Sequence, residues 1–420
     1  MAKKSKLLEE LVEIVDLDRV ENIEQLEPDA TFIYELNENI SMIKEERIIG
    51  YVQHSVESIL MTVIFAILGN CNTFEEINVF MHYHYKWLSK YIKYENAIPS
   101  ISTVKRVVSF LNPKELEKIL VETVDKFNKA NKPLFQIGMF KVDDIYAMDG
   151  KVMNSSSRQS SKNGSVAKTN AMSVYSVKNE SCIATEFIDK KTNEIPTAKK
   201  LLSRLNIKKK LITFDALNTQ KSTIDFIASN QGYYVAPVKE NHKELYEQIK
   251  DYFDDEQLLK GVKKNKNYIE TVEKRNGDID KREYGFTDDI SWIYMKDKWK
   301  GLKSIGYVKR TYKNAKGKIT SDTRYYISNL PSSMSKVIST AIRKEWSIEN
   351  GLHYFLDMVF KEDDSKSFVG NTQKNLNIIR KFCLAILKYN KKENKMSLNL
   401  MRHLISMDFE KQIIALFSDI

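Results

Sequence analysis

The alternation of apolar and polar positions divides the chain into a helical N-terminal part and a later part in which strands alternate with helices. The dense apolar run over residues 55–70 predicts a buried helix. Thr73 begins another helix, in which Glu76 completes a capping box. Further helices are predicted over residues 104–111 and after Pro113. Together these short helices predict a small helical domain ahead of the strands.

From about residue 141 the pattern changes from helical spacing to short apolar runs. Strands are predicted over residues 145–148, 171–177, 182–188, 210–214 and 233–238, and helices over residues 197–205 and 219–230. Three strands, a helix, a strand, a helix and a strand follow one another in an order similar to that of an RNase H-like domain. That fold places acidic residues at the end of its first strand and on its fourth, which are the positions of Asp149 and Asp215.

A long segment separates Asp215 from the next helix that carries a candidate acid. Its runs at residues 258–266, 268–275, 305–313 and 325–328 predict antiparallel strands joined by basic hairpins. The segment is therefore interpreted as a β-rich insertion. A charged run usually marks a solvated face, but lysines clustered beside a metal site can also contact phosphates.

The helix after the insertion carries the third candidate acid. Its apolar residues form one stripe at helical spacing: Ile348, Leu352, Phe355, Leu356 and Val359. Glu349 then lies at the rim of the stripe, with His353 and Asp357 on the same side of the helix. From the residues alone, Asp357 and the acidic cluster at residues 362–364 are alternatives to Glu349.

The composition is typical of a soluble globular protein with more than one domain. The 420 residues are 42% hydrophobic and 29% charged, with 66 Lys and Arg against 56 Asp and Glu. The net charge of +10 is compatible with a polyanionic partner and also with an ordinary basic protein. Cys71, Cys182 and Cys383 lack metal-ligand spacing, so we expect reduced thiols rather than a zinc site or disulfides.

Neither a secretion signal nor a membrane span is predicted. The N-terminus is basic but leads into an amphipathic segment at residues 7–15 rather than an apolar run. The most apolar run, at residues 59–68, is about half of the ~20 residues that a span needs. These features predict a cytoplasmic protein without a membrane partner.

Two aspartates beside strand ends and a glutamate on a later helix form a pattern with a specific chemistry. Carboxylate oxygens bind hard divalent cations, and a pair of such cations can hold both the attacking and the leaving oxygen of a phosphoryl transfer. Asp149, Asp215 and Glu349 are therefore the candidate catalytic and metal-binding residues.

The short sequence motifs around these acids occur in a characteristic order. They are DGK at 149–151, NEI at 193–195, DALNTQK at 215–221, KENH at 239–242, RYYISNL at 324–330 and WSIENGLH at 346–353. The series resembles the ISAs1 family of insertion-sequence transposases, which includes the H-repeat-associated proteins. The likeness extends from about residue 45 to about residue 390, and the ordered set is far more specific than any single motif.

The resemblance implies a transposase of the DDE type. Asp149, Asp215 and Glu349 would then be the ligands of two Mg²⁺ ions, for which Mn²⁺ can substitute. The enzyme would cut DNA at the ends of its element and join the freed 3′-hydroxyl to target DNA. Its partner would be double-stranded DNA, both transposon ends and target, bound by a homodimer or larger assembly in the bacterial cytoplasm, at the nucleoid.

The resemblance also assigns supporting roles to other motif residues, which would contact DNA or position the metal ligands. They are Lys151, Gln220, Lys239, Asn241, Arg343, Asn350 and His353. In the N-terminal part the family carries a helical domain similar to a helix-turn-helix. There, a helix entered through residues 99–103 would present Lys105 and Arg106 to the major groove. From the residues alone, a small helical packing domain is the alternative.

The predicted fold class is α+β. A helical N-terminal DNA-binding domain precedes an RNase H-like catalytic domain, a mixed five-stranded sheet with helices, which carries a β-rich insertion before the last acidic helix. The expected divisions are an N-terminal helical extension (1–45), a helical transposase-associated domain (46–135), the first part of the catalytic core (140–250), the insertion (251–335) and C-terminal helices that complete the core (336–420).

The sequence departs from the family pattern at several positions. Residues 276–278 are Asn-Gly-Asp where the family has His-Gly-Arg, Glu345 replaces His, and Tyr354 replaces Trp. Two alternatives to an active transposase therefore remain open: a domesticated or non-mobilising relative that binds DNA, and a metal-dependent nuclease on the same fold. The polar loop at residues 154–168 is interpreted either as a phosphate contact or as a solvated linker.

Overall fold

The computed structural model describes residues 31–45, 47, 52–127, 132–156, 168–188, 194–364, 366–391 and 396–418. The predictions for residues 1–30, for most of the polar loop and for Asn193 lie outside these ranges. Within them, helices from both ends of the chain pack against one large mixed sheet, so the predicted α+β class is confirmed. No helix in the described ranges combines the length and the apolar character needed to cross a bilayer.

Five helices precede the sheet in the described part of the chain. They are α1 (Thr31–Ser41), α2 (Val56–Leu68), α3 (Phe74–Tyr91), α4 (Ile101–Phe110) and α5 (Pro113–Phe127). Ser55 caps α2 by accepting a hydrogen bond from the Ser58 N–H at 3.1 Å. Thr73 and Glu76 form the predicted capping box at the start of α3. Helix α2 is buried on nearly all sides, as its continuous apolar run requires.

Eleven strands follow in the described ranges. They are β1 (Phe135–Ile137), β2 (Phe140–Val142), β3 (Asp144–Met153), β4 (Thr169–Ser176), β5 (Ser181–Ile188), β6 (Lys210–Phe214), β7 (Tyr233–Val238), β8 (Ile269–Arg275), β9 (Asp278–Thr287), β10 (Ser304–Lys313) and β11 (Ile319–Ser328). Strands β1 and β2 form a separate hairpin, and the others form one sheet in the order β5-β4-β3-β6-β7-β11-β10-β9-β8. The predicted limits of β6 and β7 are confirmed to the residue.

The central strands place two of the predicted acids side by side. Strand β3 is parallel to β6, and the last pair in their register is Met148 with Phe214. Asp149 and Asp215 are the residues that come directly after this pair on the two neighbouring strands. The prediction that the first strand ends at Asp149 is wrong, because β3 continues to Met153 by antiparallel pairing with β4. Asp149 therefore lies inside a strand, at the point where one of its neighbours stops.

The insertion contains helices as well as strands. Helices α6 (Glu194–Leu202) and α7 (Lys221–Ser229) precede it, α8 (Lys243–Asp254) crosses its predicted start, and α9 (Glu256–Lys264) lies within it. The prediction of a strand over residues 258–266 is wrong. Asp255 caps α9 by accepting from two backbone N–H groups, and Val262 packs inward from it. Strand β11 pairs with β7, with Ile327 opposite Ala236, so the insertion extends the central sheet.

The C-terminal helices complete a core that the N-terminal helices begin. They are α10 (Ser335–Lys344), a π-helical segment (Glu349–His353), α11 (Tyr354–Met358), α12 (Thr372–Lys391), α13 (Leu398–Met407) and α14 (Phe409–Ser418). The buried Asn375 donates to the carbonyls of Val108 and Leu111 at 2.8 and 3.0 Å. Arg402, also buried, donates to the Ile67 carbonyl at 2.7 Å. The domain boundaries inferred from the sequence stay a prediction.

Candidate functional site

Three potential metal ligands converge where β3 meets the segment after α10. One donor atom each of Asp149, Glu349 and His353 lies within 4.8 Å of the other two. The His353 Nδ1 atom is 3.1 Å from Glu349 Oε2 and 3.7 Å from Asp149 Oδ2. The Glu349 side chain is 52% exposed, whereas His353 is buried. These three residues form the open cluster.

A local widening of the helix orients Glu349. Residues Glu349–His353 form a π-helical segment, in which the Tyr354 N–H bonds to the Glu349 carbonyl rather than to that of residue 350. The apolar stripe predicted from the sequence is largely confirmed, since Ile348, Leu352 and Leu356 are buried. An extra residue in one helical turn rotates the rest of the helix about its axis, and such turns are frequent at functional sites.

His353 is held in its neutral form by its surroundings. Burial lowers its pKa to about 4, and this effect outweighs the hydrogen bond to Glu349, which acts in the opposite direction. A neutral imidazole has one N–H and one lone pair, so Nδ1 can either donate to Glu349 or bind a cation. The Nε2 atom is buried and has no hydrogen-bond partner among the described residues.

Asp215 borders the open cluster without belonging to the group defined by the 4.8 Å limit. Its Oδ1 atom accepts hydrogen bonds from the backbone N–H of Asn218 at 3.1 Å and from the side-chain Nδ2 of the same residue at 2.7 Å. These bonds cap a short 3-10 turn that comes after β6 and fix the orientation of the carboxylate. Asp215 thus lies next to Asp149, and Asp149 in turn lies within 4.8 Å of Glu349.

Glu345 is an additional acid at the site, which the sequence identified only as a departure from the family pattern. Its pKa is raised to about 7, chiefly by burial and to a smaller extent by the nearby charges of Asp215 and Asp149. Arg324 and Lys239 act in the opposite direction. Glu345 therefore lies within electrostatic range of both aspartates. Its position four residues before Glu349 was the one signal that the sequence offered.

A second group of charges lies beside the open cluster and is neutralised within the protein. The Lys151 ammonium forms ion pairs with Asp357 and, at 2.7 Å, with Glu362 Oε2. Glu362 is fully buried, and its Oε1 atom accepts from Asn377 Nδ2 at 2.7 Å. The Lys151 ammonium helps to hold the pKa of Glu362 below its usual value despite burial. Lys151, Asp357 and Glu362 form the paired cluster, which accounts for two of the acids that rivalled Glu349.

Other predicted residues line a cleft that starts at Asp215. The cleft has a volume of about 620 Å³, and Lys239, Asn241 and Arg324 are among its lining residues. Asn241 Nδ2 donates to the Ala216 carbonyl at 2.8 Å and so ties the loop after β7 to the turn after Asp215. Gln220 lies at the start of α7, where its Nε2 atom donates to the Leu217 carbonyl at 3.0 Å.

Arginines line a neighbouring cleft of about 260 Å³. Its basic residues are Arg282, Arg310, Arg324 and Arg343, and it also contains Trp346 and Asn350. Each arginine has an acidic partner: Arg343, for example, donates to both oxygens of Glu273 at 2.8 Å. Arg324 lines both clefts. It was not predicted as a site residue, although it is the first residue of the RYYISNL motif.

Lys105 and Arg106 lie apart from the acidic groups, on α4. The buried face of α4 consists of Val104, Val107 and Val108, and both basic residues are exposed on the opposite side. The Lys105 ammonium is 2.9 Å from the Glu75 carboxylate of α3. The helix-turn-helix interpretation of this region stays a prediction.

The 276–278 departure has a structural role in this chain. Asn276 and Gly277 both adopt positive φ and connect β8 to β9 through a two-residue turn. Asp278 accepts hydrogen bonds from the Ala315 N–H and the Tyr312 hydroxyl, both at 2.8 Å. These residues therefore fasten two adjacent hairpins to each other.

Comparison with known proteins identifies the family to which this sequence is similar. The family model described as DDE_Tnp_1-associated matches residues 37–123, and the one described as Transposase DDE domain matches residues 141–386. The Escherichia coli K12 protein named "Putative protein YbfL" is 31% identical over 85% of this chain and 91% of its own length. "H repeat-associated putative transposase YhhI" of the same strain is 29% identical over 85% of this chain and 91% of its own.

A solved structure of the piggyBac transposase synaptic complex with hairpin DNA overlaps 92% of this chain and 78% of that chain, at 10% identity and a TM-score of 0.36. The transposase domain model spans more than half of this chain, and the two Escherichia coli relatives align with it over nearly their full length. The chain belongs to the DDE transposase family, and its relatives include H-repeat-associated transposases.

Proposed function

We propose that this protein is the transposase of an ISAs1-type insertion sequence and that it cuts and joins DNA at the open cluster. The observation that carries the proposal is the convergence of Asp149, Glu349 and His353 within 4.8 Å, beside Asp215 on the neighbouring parallel strand. Membership of the DDE family supports the same reaction class. The strand order β5-β4-β3-β6-β7 supports an RNase H-like core.

The donor set of the site fits divalent metal ions. Asp149, Asp215 and Glu349 would supply carboxylate oxygens, which both Mg²⁺ and Mn²⁺ bind, and the neutral His353 leaves the carboxylate charge for the metal ions to balance. Glu349 has no Lys or Arg within ion-pair distance among the described residues, so its charge is open to a cation. When bound, the metal ions would activate the attacking oxygen and stabilise the leaving oxygen.

The remaining residues of the site would orient the ligands and the DNA. His353 positions the Glu349 carboxylate through its hydrogen bond at 3.1 Å. Asn218 does the same for Asp215. Lys239 and Arg324, which line the cleft beside Asp215, would bind phosphates of the strand that enters it.

The helical region that contains α4 would bind the transposon ends, with Lys105 and Arg106 on its exposed face. Because two ends must be processed together, the active assembly would contain at least two copies of the chain. The boundaries predicted from the sequence serve as the proposed domains, with the C-terminal helices completing both the helical core and the catalytic core.

Cleavage and joining on labelled duplexes that carry the flanking sequences of the gene test this proposal. With Mg²⁺ or Mn²⁺, the wild type should yield joined products, and Asp149→Ala, Asp215→Ala and Glu349→Ala should each reduce them to background. Asp364→Ala removes an exposed acid outside the open cluster and serves as the matched control.

Three outcomes would contradict parts of the proposal. Cleavage without joining would favour the nuclease, and binding without cleavage would favour a non-mobilising relative. Full activity of the Glu349→Ala protein would mean that another acid is the third ligand.

A further inference from the structure

A cleft of about 590 Å³ opens between the π-helical segment and α12, away from the metal ligands themselves. Its lining includes Gly351 of the π-helical segment, Tyr175 of β4 and Lys388 of α12. It shares Arg343, among other residues, with the arginine-lined cleft, so the two clefts adjoin. None of the roles proposed above uses it.

Lys388 is the unusual feature of this cleft. The residue is buried, and its ammonium donates to the Tyr175 hydroxyl at 2.6 Å. It lies 4.9 Å from the centre of the Tyr175 ring and 5.4 Å from that of Phe355. In the described part of the chain no carboxylate comes within ion-pair distance of it. Burial lowers its pKa to about 8, so a large fraction stays charged at neutral pH. A buried charge that only rings and a hydroxyl compensate favours an anion from outside.

Most of the other charged residues that line the cleft are also basic. Lys344 and Lys391 line it together with Lys388. Glu180 is the one acid among its lining residues, is exposed, and raises the pKa of Lys388 only through space. An anion in the cleft would therefore meet three ammonium groups and a single carboxylate.

Gly351 lets the π-helical segment approach Tyr175 and Lys388 closely. A Cβ atom at this position would lie 2.8 Å from the Tyr175 hydroxyl and 3.2 Å from the Lys388 ammonium, which leaves no room for a side chain. Gly351 is two residues after Glu349, in the same π-helical segment. A ligand in the cleft would therefore contact the segment that carries a catalytic acid.

We propose that this cleft, defined by Lys344, Gly351, Lys388 and Lys391, binds a backbone phosphate of DNA. The proposal rests on the function proposed above. Lysine binds phosphate as a point charge without requiring a fixed orientation. Because the cleft adjoins the arginine-lined cleft, a polymer with phosphates at regular intervals fits the pair better than a single free anion does. The bound strand would be held against the segment that carries Glu349.

Labelling with pyridoxal 5′-phosphate, followed by borohydride reduction and peptide mass spectrometry, tests the cleft itself. The probe combines a phosphate with an aldehyde that forms a reducible imine with a neutral amine, and a lowered pKa favours that reaction. We expect labelling at Lys388 in the full-length protein and its suppression by a 30-base-pair duplex. Lack of labelling would overturn the proposed cleft, and labelling that inorganic pyrophosphate suppresses but DNA does not would overturn DNA as the ligand.

Salt dependence of duplex binding provides an independent test. Lys388→Met should reduce the slope of log K against log salt by roughly 0.9, the amount expected for one lost phosphate contact, and Lys388→Arg should restore it. Lys336→Met, an exposed lysine of α10 outside the cleft, is the control. An unchanged slope in a Lys388→Met protein that melts like the wild type would overturn the proposal.

These measurements use the Asp149→Ala background as well as the wild type, so they do not require catalysis. If no joined product forms, but Lys388 is labelled and its substitution changes the salt slope, the result would contradict the proposed reaction alone. If joined products form, but Lys388 is not labelled and its substitution leaves the salt slope unchanged, the result would contradict the phosphate cleft alone.

Discussion

The open cluster and the paired cluster both connect β3 to the helical segment after α10, but they differ in how the negative charge of their acids is compensated. Asp149 and Lys151 are two residues apart on β3 and therefore face the same side of the sheet. Lys151 neutralises two acids of the helical side, Asp357 and Glu362. Asp149 faces Glu349 across an uncharged His353 instead. The paired cluster joins the sheet to the helices, whereas in the open cluster the exposed Glu349 carboxylate has no Lys or Arg partner among the described residues and is open to a cation.

The difference shows how a fold can hold acids close together. Carboxylates repel one another, and their proximity is costly unless a partner compensates them. In the paired cluster the protein supplies that partner, so Glu362 can be completely buried. In the open cluster Glu349 and Asp149 stay partly exposed, which limits the cost until a ligand arrives. Through Lys151, the paired cluster links the strand that carries Asp149 to the helical segment that follows Glu349.

The largest effect is expected from breaking the paired cluster. Glu362→Ala leaves the Lys151 ammonium without its buried partner and should lower the free energy of unfolding by about 3–5 kcal/mol. Glu349→Ala removes an exposed acid of the open cluster and should change it by no more than about 0.5 kcal/mol. Urea denaturation followed by circular dichroism measures both, with Asp364→Ala as a control. Equal losses in the two proteins would contradict the distinction between the clusters.

The next effect concerns Glu345 and depends on pH. Because its pKa is about 7 in the folded protein and near 4.5 when unfolded, the folded state binds the proton more tightly. The contribution of Glu345 to stability is therefore largest at low pH and falls as pH rises from about 4.5 to 7, by on the order of 2–3 kcal/mol. Glu345→Gln should remove this fall, as thermal melts in chelator between pH 4.5 and 8 would show.

A divalent cation sharpens the same test. Added Mn²⁺ should restore stability at pH 8 in the wild type more than in the Glu345→Gln protein, because the cation stabilises the charged carboxylates. A wild-type protein whose melting temperature is constant over this pH range would contradict the placement of Glu345.

A smaller effect is expected in the open cluster when the orienting group is lost. His353→Ala removes the hydrogen bond to Glu349 and should weaken Mn²⁺ binding about 10- to 100-fold, as is typical for residues that orient metal ligands. Titration calorimetry measures the affinity, and the exposed His403→Ala protein is the matched control. Unchanged affinity would mean that His353 contributes to packing only.

The smallest effect is expected at an exposed ion pair on the N-terminal helices, which belongs to neither cluster. Lys105→Ala breaks the exposed pair with Glu75 and should cost less than about 1 kcal/mol of stability. If α4 faces DNA, the same change should lower the salt slope of DNA binding by roughly 0.9, whereas Glu75→Ala should not lower it. A reduced slope in both proteins would indicate an indirect effect through the helix packing.

Local structure was predictable wherever the apolar pattern was strong. The limits of β6 and β7 and the capping box at Thr73 could be inferred from the sequence, because buried strands and helix starts have local signals. Strand β9 was missed because its outer half is polar on both faces, although Asn276-Gly277 is a strong hairpin signal. Helix α9 was mistaken for a strand because its lysines were interpreted as a basic hairpin, although Leu258 and Val262 have helical spacing.

The sequence by itself determined the elements, the family and the set of acids that compete for the site. Only the tertiary structure decided which acids lie close together. Their placement depends on a π-helical turn and on which acids form ion pairs with Lys151. Asp357 and Glu349 are equivalent on an ideal helix, yet one pairs with Lys151 and the other with His353. Such choices arise from contacts between residues some 200 positions apart, such as the pair of Lys151 with Asp357, which no local pattern records.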